Sequence, residues 1–170
     1  MRACAAILMA SLVGGAALAE PFELYSKASM LMGGDWVAPG LVIGVDAPVG
    51  TEKTRSYFSL GGAVASYYQA RTSILDLSFT ARPNYTIRLA EGYGFLNVYA
   101  QLSVGPSTMF NNPVNWGYHA GIAPGVRYFF DRHWGVFGEL GYSFHTLIAN
   151  GLPNRNIGAG VFGIGATYEF

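Results

Sequence analysis

The chain has 170 residues, of which 51% are hydrophobic and 15% aromatic, while only 12% are charged, about half the charged fraction of a soluble domain. Ten lysines and arginines balance ten acidic residues, so the chain lacks the basic field that binding a nucleic acid requires. The length allows one domain, and the composition excludes a disordered chain, a collagen-like repeat and a coiled coil.

The first 19 residues have the features of a bacterial export signal. Arg2 provides a basic start, an apolar run follows to Ala19, and the run ends in an A-x-A pattern. We therefore expect residues 1–19 to be cleaved and residues 20–170 to form one barrel domain. Cys4 is the only cysteine, so the mature chain is expected to have no disulfide and no cysteine-based site. The apolar run follows Cys4, which argues against acylation at that residue.

Residues 20–170 contain no candidate membrane helix, which needs about 18 consecutive apolar residues. The longest apolar stretch, residues 36–45, is interrupted by Pro39 and Gly40. A mature chain that is integral to a membrane must then be a closed β-barrel, because only helices and barrels satisfy every backbone group in lipid.

Alternation of apolar and polar residues predicts four strands in the first half of the chain, near 22–32, 36–46, 56–68 and 75–89. The run 75–89 exceeds the 9 to 11 residues or so that cross a bilayer, so we expect it to extend beyond the membrane. The polar sides of the first and fourth strands carry five charged residues: Glu23, Lys27, Asp76, Arg82 and Arg88.

The second half, after a turn at 91–94, is predicted to contain four more strands, near 96–104, 118–130, 134–145 and 161–170. The polar turn 131–133 joins two of them, and a three-residue loop pairs Phe130 with Trp134. This register keeps the two faces of the hairpin separate, and it predicts five pairs: Tyr128 with Val136, Ile122 with Tyr142, Ala120 with Phe144, Arg127 with Phe137, and His119 with His145. It also places Arg127 diagonal to Glu139, within reach of a long side chain.

Chain length favours eight strands. Eight crossings leave about nine to eleven residues for each connection, whereas twelve would leave about three. The long segments 105–116 and 146–156 contradict connections of about three residues and so exclude twelve strands. Ten strands remain an alternative. We therefore predict an all-β, closed antiparallel transmembrane barrel with up-and-down order.

The residue types on the two faces favour a membrane barrel over a soluble, lipocalin-like one. The polar face carries Gly, Ala and Ser between its charges, which suits a narrow interior. The apolar face carries large residues, with aromatic side chains concentrated near one end, as in the aromatic girdle at a lipid interface: Tyr128, Phe130, Trp134, Tyr168 and Phe170.

The export signal, the final strand 162–170 and the segment 125–135 together resemble the bacterial eight-stranded outer-membrane barrels of the OmpA, OmpX and opacity-protein type. This resemblance implies an integral outer-membrane protein of a Gram-negative bacterium. It also implies that the end of the last strand is the signal read by the barrel assembly machinery, carried by Phe162, Ile164, Tyr168 and Phe170. The family includes adhesins, structural anchors and enzymes, so the resemblance specifies location and fold more than function.

Eight charged residues are predicted to point into the barrel: Glu23, Lys27, Asp76, Arg82, Arg88, Arg127, Glu139 and Glu169. They include four of each sign, which favours a structural plug of paired charges in an interior only wide enough for side chains. The alternative is a narrow gated channel that opens when ion pairs exchange partners.

A second alternative is a lipid A-modifying enzyme built on Ser143, His145, His119 and Glu139. Glu139 and Ser143 are four residues apart on one strand, roughly 13 Å, too far for a hydrogen-bonded relay. The order Ser-x-His also departs from the His-x-Ser of lipid A deacylases. Two histidines without a third ligand make a poor zinc site. We therefore expect no catalytic residues, no metal and no cofactor.

The segments 105–116 and 146–156 are predicted to be loops on the outside of the cell. Five residues in them are candidates for binding a host or surface ligand, although the same residues suit a merely solvated surface: Phe110, Asn112, Trp116, Asn154 and Arg155. The expected partners are outer-membrane lipid, lipopolysaccharide and the assembly machinery, with the protein a monomer.

Overall fold

The structure is a computed structural model that describes residues 22–34, 36–49, 56–89, 94–110, 114–148 and 155–170. The predicted export signal lies outside the described residues. Eight strands make up the fold: β1 (Glu23–Gly33), β2 (Trp36–Val49), β3 (Ser56–Gln69), β4 (Thr72–Arg88), β5 (Phe95–Phe110), β6 (Asn115–Phe129), β7 (Trp134–Ile148) and β8 (Arg155–Glu169).

The eight strands form one closed barrel in which each strand pairs antiparallel with its neighbour in the chain. Closure comes from β1 and β8, whose register runs from Glu23 opposite Glu169 to Met32 opposite Gly160. The prediction of a closed antiparallel meander with eight strands is confirmed. No helix in the described part of the chain is long and apolar enough to cross a membrane.

Side chains alternate between the inside and the outside of the barrel along most of each strand. In β6, Arg127 is 1% exposed, whereas its neighbour Val126 is 48% exposed. In β1, Tyr25 is buried, whereas Leu24 on the opposite face is exposed. The apolar face therefore points outward and the face carrying the charges points inward, as the residue types predicted. An apolar outer surface of this extent needs an apolar environment.

The hairpin of β6 and β7 has the predicted register in all five pairs, including His119 opposite His145. Its turn is held by Asp131, whose carboxylate accepts hydrogen bonds from the backbone N–H of His133 (2.7 Å) and Trp134 (2.5 Å). These hydrogen bonds, that from Trp134 foremost, lower the pKa of Asp131. A further backbone bond from Phe130 N–H to the Trp134 carbonyl (3.2 Å) closes the turn.

The two predicted loops are much shorter than expected. Strand β5 continues to Phe110 and β6 begins at Asn115, so most of the segment 105–116 is sheet. Likewise β7 continues to Ile148 and β8 begins at Arg155. Gly105, Pro106 and the polar residues that follow suggested a loop, but the backbone hydrogen bonds of a closed barrel continue past the apolar belt.

The two ends of the barrel differ in the parts of the chain that lie there. We call the end where Phe22 and Phe170 meet the terminal end; their rings stack at 4.2 Å. The opposite end, where β1 joins β2 and β7 joins β8, is the loop end. Aromatic side chains project outward near both ends, which is the arrangement of the two girdles of a membrane barrel. The loop-end set is Tyr68, Phe110, Trp116 and Tyr118, all more than 40% exposed.

Candidate functional site: the barrel lumen

Glu23 joins two arginines at the terminal end of the lumen. As the first residue of β1, Glu23 points inward from the β1–β8 seam. Its carboxylate forms an ion pair with Arg127, accepts a hydrogen bond from Arg82 (3.4 Å), and accepts another from the Thr167 hydroxyl (2.6 Å). One carboxylate thus connects strands β1, β4, β6 and β8 across the lumen.

Arg82 is the centre of the network and is 1% exposed. Its guanidinium pairs with the Asp46 carboxylate at 2.7 Å and donates to the Gln101 side-chain oxygen at 2.8 Å. The rings of Tyr25 and Tyr99 lie on it at 5.0 and 4.8 Å from Cζ to the ring centroid. A buried guanidinium is stable only when it is paired and hydrogen-bonded. Both Nη atoms of Arg82 have partners, whereas its buried Nε has no hydrogen-bond partner.

A fourth ion pair links Lys27 of β1 to Glu139 of β7. Both side chains are buried, and the other Glu139 oxygen accepts a hydrogen bond from the Tyr99 hydroxyl at 3.2 Å. The ring of Tyr99 also lies 5.0 Å from the guanidinium carbon of Arg127, so Tyr99 contacts one member of each of the four ion pairs.

We call the six residues of these ion pairs the plug: Glu23, Lys27, Asp46, Arg82, Arg127 and Glu139. The plug contains three cations and three carboxylates and is therefore neutral in its ionised form. Its side chains cross the lumen between strands that are not neighbours, which fills an interior that is only wide enough for side chains.

Six of the eight charges predicted to be interior are buried in the lumen, and two are not. Arg88 is exposed because it lies at the terminal end of β4, beyond the closed lumen, and Glu169 is half-buried beside the closing turn. Asp46 was missed because the second strand was predicted to end there. Strand β2 in fact continues to Val49, and the alternation of its side chains points Asp46 into the lumen. Extending the predicted strand by three residues would therefore have identified Asp46 as an interior charge.

The register places Arg127 diagonal to Glu139, as predicted, but each of the two side chains has a different ion-pair partner. Arg127 pairs with Glu23, and Glu139 pairs with Lys27. Phe137 lies directly opposite Arg127 on β7, and the long arginine side chain extends across the lumen instead of along the sheet.

A second polar cluster lies nearer the loop end, around Asp76 of β4. One Asp76 oxygen accepts a hydrogen bond from the Ser107 hydroxyl (2.6 Å), and the other lies 2.9 Å from Nε2 of His145. His119 Nε2 lies 3.0 Å from the Ser78 hydroxyl, and its Nδ1 lies 3.8 Å from Asp76. Serine, histidine and aspartate thus lie side by side, but 3.8 Å is too long for the histidine–aspartate hydrogen bond of a hydrolase triad. Of the residues considered for a triad in the sequence, only His119 belongs to the Ser78–His119–Asp76 group.

The space beside this cluster is too small for acyl chemistry on a lipid. The adjoining cavity has a volume of about 50 Å³ and is lined by Asp76, Ser78, His119 and Ser143. It admits a few water molecules, each of which needs roughly 10–15 Å³, but no acyl chain. Among the described residues, no group of three or more His, Cys, Asp or Glu side chains could hold a metal ion.

The candidate ligand-binding residues lie in different environments. Phe110 and Trp116 project outward from strands β5 and β6, so the structure places them in the loop-end girdle. Arg155 lines an opening at the loop end. Asn112 and Asn154 lie outside the described residues.

The four residues of the predicted assembly signal share the outer face of the last strand and its end. Phe162 and Ile164 are exposed on β8. The Tyr168 ring makes edge contacts with Phe170 and with Trp134, both at 4.8 Å between centroids. Their role in assembly stays a prediction.

Solved structures with the same architecture include two bacterial membrane barrels. Neisserial surface protein A superposes with a TM-score of 0.57 at 15% identity, covering 88% of this chain and 96% of that one. The N-terminal β-barrel domain of Pseudomonas aeruginosa OprF gives a TM-score of 0.54 at 16% identity, covering 89% and 98%. This chain has the fold of the eight-stranded outer-membrane barrels. At these identities the likeness shows the fold alone. No family model and no curated protein matches the sequence.

The strands of the barrel are long enough to cross a bilayer. They are 11 to 17 residues long, compared with the 9 to 11 or so that a crossing needs.

Proposed function

We propose that the protein is an integral outer-membrane barrel with a structural or surface role, whose lumen is closed to ions. The observation that supports this best is the neutral plug, in which every cation faces a carboxylate across the lumen. Ions passing this level would have to separate buried pairs, and separating one partner from a buried pair costs about 3–5 kcal/mol.

The short connections limit what the surface role can be. The connections between β1 and β2 and between β3 and β4 are two residues long, so they offer little loop surface for a protein partner. We infer that contacts with the outside are made by the loop-end rim of the barrel, in a monomer held by its apolar belt among outer-membrane lipids and lipopolysaccharide.

Location is tested first, by fractionating expressing cells and comparing migration of the unheated and the boiled protein in SDS gels. We expect the protein in the outer-membrane fraction, with a heat-dependent shift. An unshifted protein in the soluble periplasmic fraction would contradict the proposal.

Closure is tested by recording currents from the protein in planar lipid bilayers. We expect no resolved conductance from the wild type or from Arg132→Gln, a control that removes an exposed arginine in the β6–β7 turn. Discrete wild-type openings that change in Arg127→Gln or Glu139→Gln would instead establish the second candidate function, a narrow gated channel. The polar cavity of about 50 Å³ beside Lys27 and Glu139 is the observation that favours that candidate.

We also propose that the barrel does not modify lipid A, because its Ser78–His119–Asp76 group faces the lumen and a cavity too small for an acyl chain. The mass of lipid A is then the same in expressing and non-expressing cells. A mass change that disappears in Ser78→Ala would reverse this conclusion.

A further inference from the structure

The lumen contains a second opening, which we call the cup, at the loop end. It has a volume of about 200 Å³ and is lined by inward-facing residues from the loop-end parts of β2, β3, β4, β5 and β8, among them Trp36, Tyr67, Ile74, Met109, Arg155 and Ile157. Tyr67 also lines the smaller cavity below, so it is part of the wall of both spaces.

The chemistry of the cup differs from that of the rest of the lumen. The plug and the Asp76 cluster fill the lower levels with paired polar groups, whereas six of the nine described residues that line the cup are hydrophobic or aromatic, among them Ala38, Ile74 and Ile157. A closed plug does not require a cavity of this kind above it. A concave space with hydrophobic and aromatic walls and a few polar groups that fix orientation is the usual form of a small-molecule site.

The one charged residue among the described residues lining the cup is an arginine. Arg155 contributes a guanidinium at the rim, and Gln69 and Thr72 contribute neutral polar groups. Among the described residues that line the cup, none is acidic. An arginine above the rings of Trp36 and Tyr67 suits a ligand with an apolar body and one carboxylate, which guanidinium binds in a forked geometry.

The size of the cup limits the ligand. An apolar cavity of about 150 Å³ binds benzene, so a space of about 200 Å³ suits a single ring with a short side chain. The Trp36 and Tyr67 rings offer faces on which an aromatic ring can pack.

We propose that the cup is a binding site for small aryl or alkyl carboxylates, with the apolar body between Trp36 and Tyr67 and the carboxylate on Arg155. The site is independent of ion conduction, because it lies above the plug and uses none of its residues.

The experiment uses the full barrel in lipid nanodiscs, with Trp116 and Trp134 replaced by phenylalanine so that Trp36 is the one tryptophan of residues 20–170. The probe is 3-phenylpropionate, and its binding is measured by calorimetry and by tryptophan fluorescence, after subtraction of the signal of empty nanodiscs. We expect saturable binding with one site per barrel. Arg155→Gln should weaken it at least 5-fold, and 3-phenylpropanamide should bind the wild type as weakly as the acid binds Arg155→Gln. The matched control is Arg71→Gln, which removes an exposed arginine of the β3–β4 turn that does not line the cup, and it should bind like the wild type.

A filling variant decides where the probe binds. Ala38→Phe places a ring in the cup and should abolish binding, with the heat-dependent gel shift verifying that the barrel folds. If Ala38→Phe does not fold, Thr72→Phe fills the cup from the end of β4 instead. Binding that persists in a folded filling variant, equal binding of acid and amide, or no saturable binding at millimolar probe would each overturn the proposal.

Discussion

Removing the positive charge of Arg82 is the most direct perturbation of the plug. In Arg82→Gln, Asp46 loses its partner at 2.7 Å, and Glu23 loses one of its two arginines, at 3.4 Å. At an effective dielectric constant of about 20, these two attractions are worth about 6 and about 5 kcal/mol. Much of this offsets the several kcal/mol that burial of each ion costs, so removal of one partner of the network destabilises the barrel by about 3–5 kcal/mol.

The assay is urea unfolding of the reconstituted protein, followed by tryptophan fluorescence and by the gel shift. The matched control, Arg88→Gln, removes an exposed arginine of the same strand, and we expect it to change the free energy of unfolding by at most about 0.5 kcal/mol. Adding Asp46→Asn to Arg82→Gln removes the uncompensated carboxylate and should restore part of the loss, because the two residues are in direct contact. Equal small losses in Arg82→Gln and Arg88→Gln would refute the assignment of Arg82 to a buried ion network.

Two further predictions concern local packing and pH. Gly44 lies opposite Tyr25 across the β1–β2 pair, and a methyl group at Gly44 would overlap the Tyr25 ring. In a urea titration, Gly44→Ala should therefore lower the free energy of unfolding by about 1–3 kcal/mol. The control Gly138→Ala should leave it unchanged, because the added methyl group would meet no heavy atom nearer than 4.0 Å. The pKa of Asp131 is lowered in the folded state by the two turn N–H groups, so its contribution to stability is present above the unfolded pKa and is lost as the pH falls through the folded one. The thermal stability of wild type should exceed that of Asp131→Ala at pH 6, and the difference should shrink toward pH 3; a difference that is independent of pH would contradict this role.

The strand number and the β6–β7 register were predictable because both depend on local pattern. Alternation with period two and a short polar turn determine which residues face each other, and His119 lies opposite His145 as that logic required. The ends of the strands were less predictable. Beyond the apolar belt the sheet continues through polar and glycine-containing sequence, so Ser107 and Trp116 were assigned to a loop although both are in strands.

Contacts across the lumen were not predictable from alternation. The alternation of residues along a strand predicts which charged side chains point inward. It does not predict which of them form pairs, because partners such as Glu23 and Arg127 come from strands far apart in the chain. Barrel closure and the stagger of the strands decide the level at which each side chain sits. The pairing of Arg82 with Asp46 and the alignment of Ser78, His119 and Asp76 therefore emerge only in three dimensions.

The central claim is that the apolar face of the sheet meets lipid and the polar face forms a closed lumen. It is tested by placing single nitroxide labels at each position from Ala120 to Val126 on β6, with Cys4 replaced by serine, and measuring collisions with oxygen and with a water-soluble nickel complex in liposomes. We predict high oxygen accessibility at the even positions and low accessibility to both reagents at the odd ones. The opposite pattern, with buried even positions and odd positions accessible to the nickel complex, would show a soluble barrel with its faces reversed. It would contradict the placement of the apolar face in lipid.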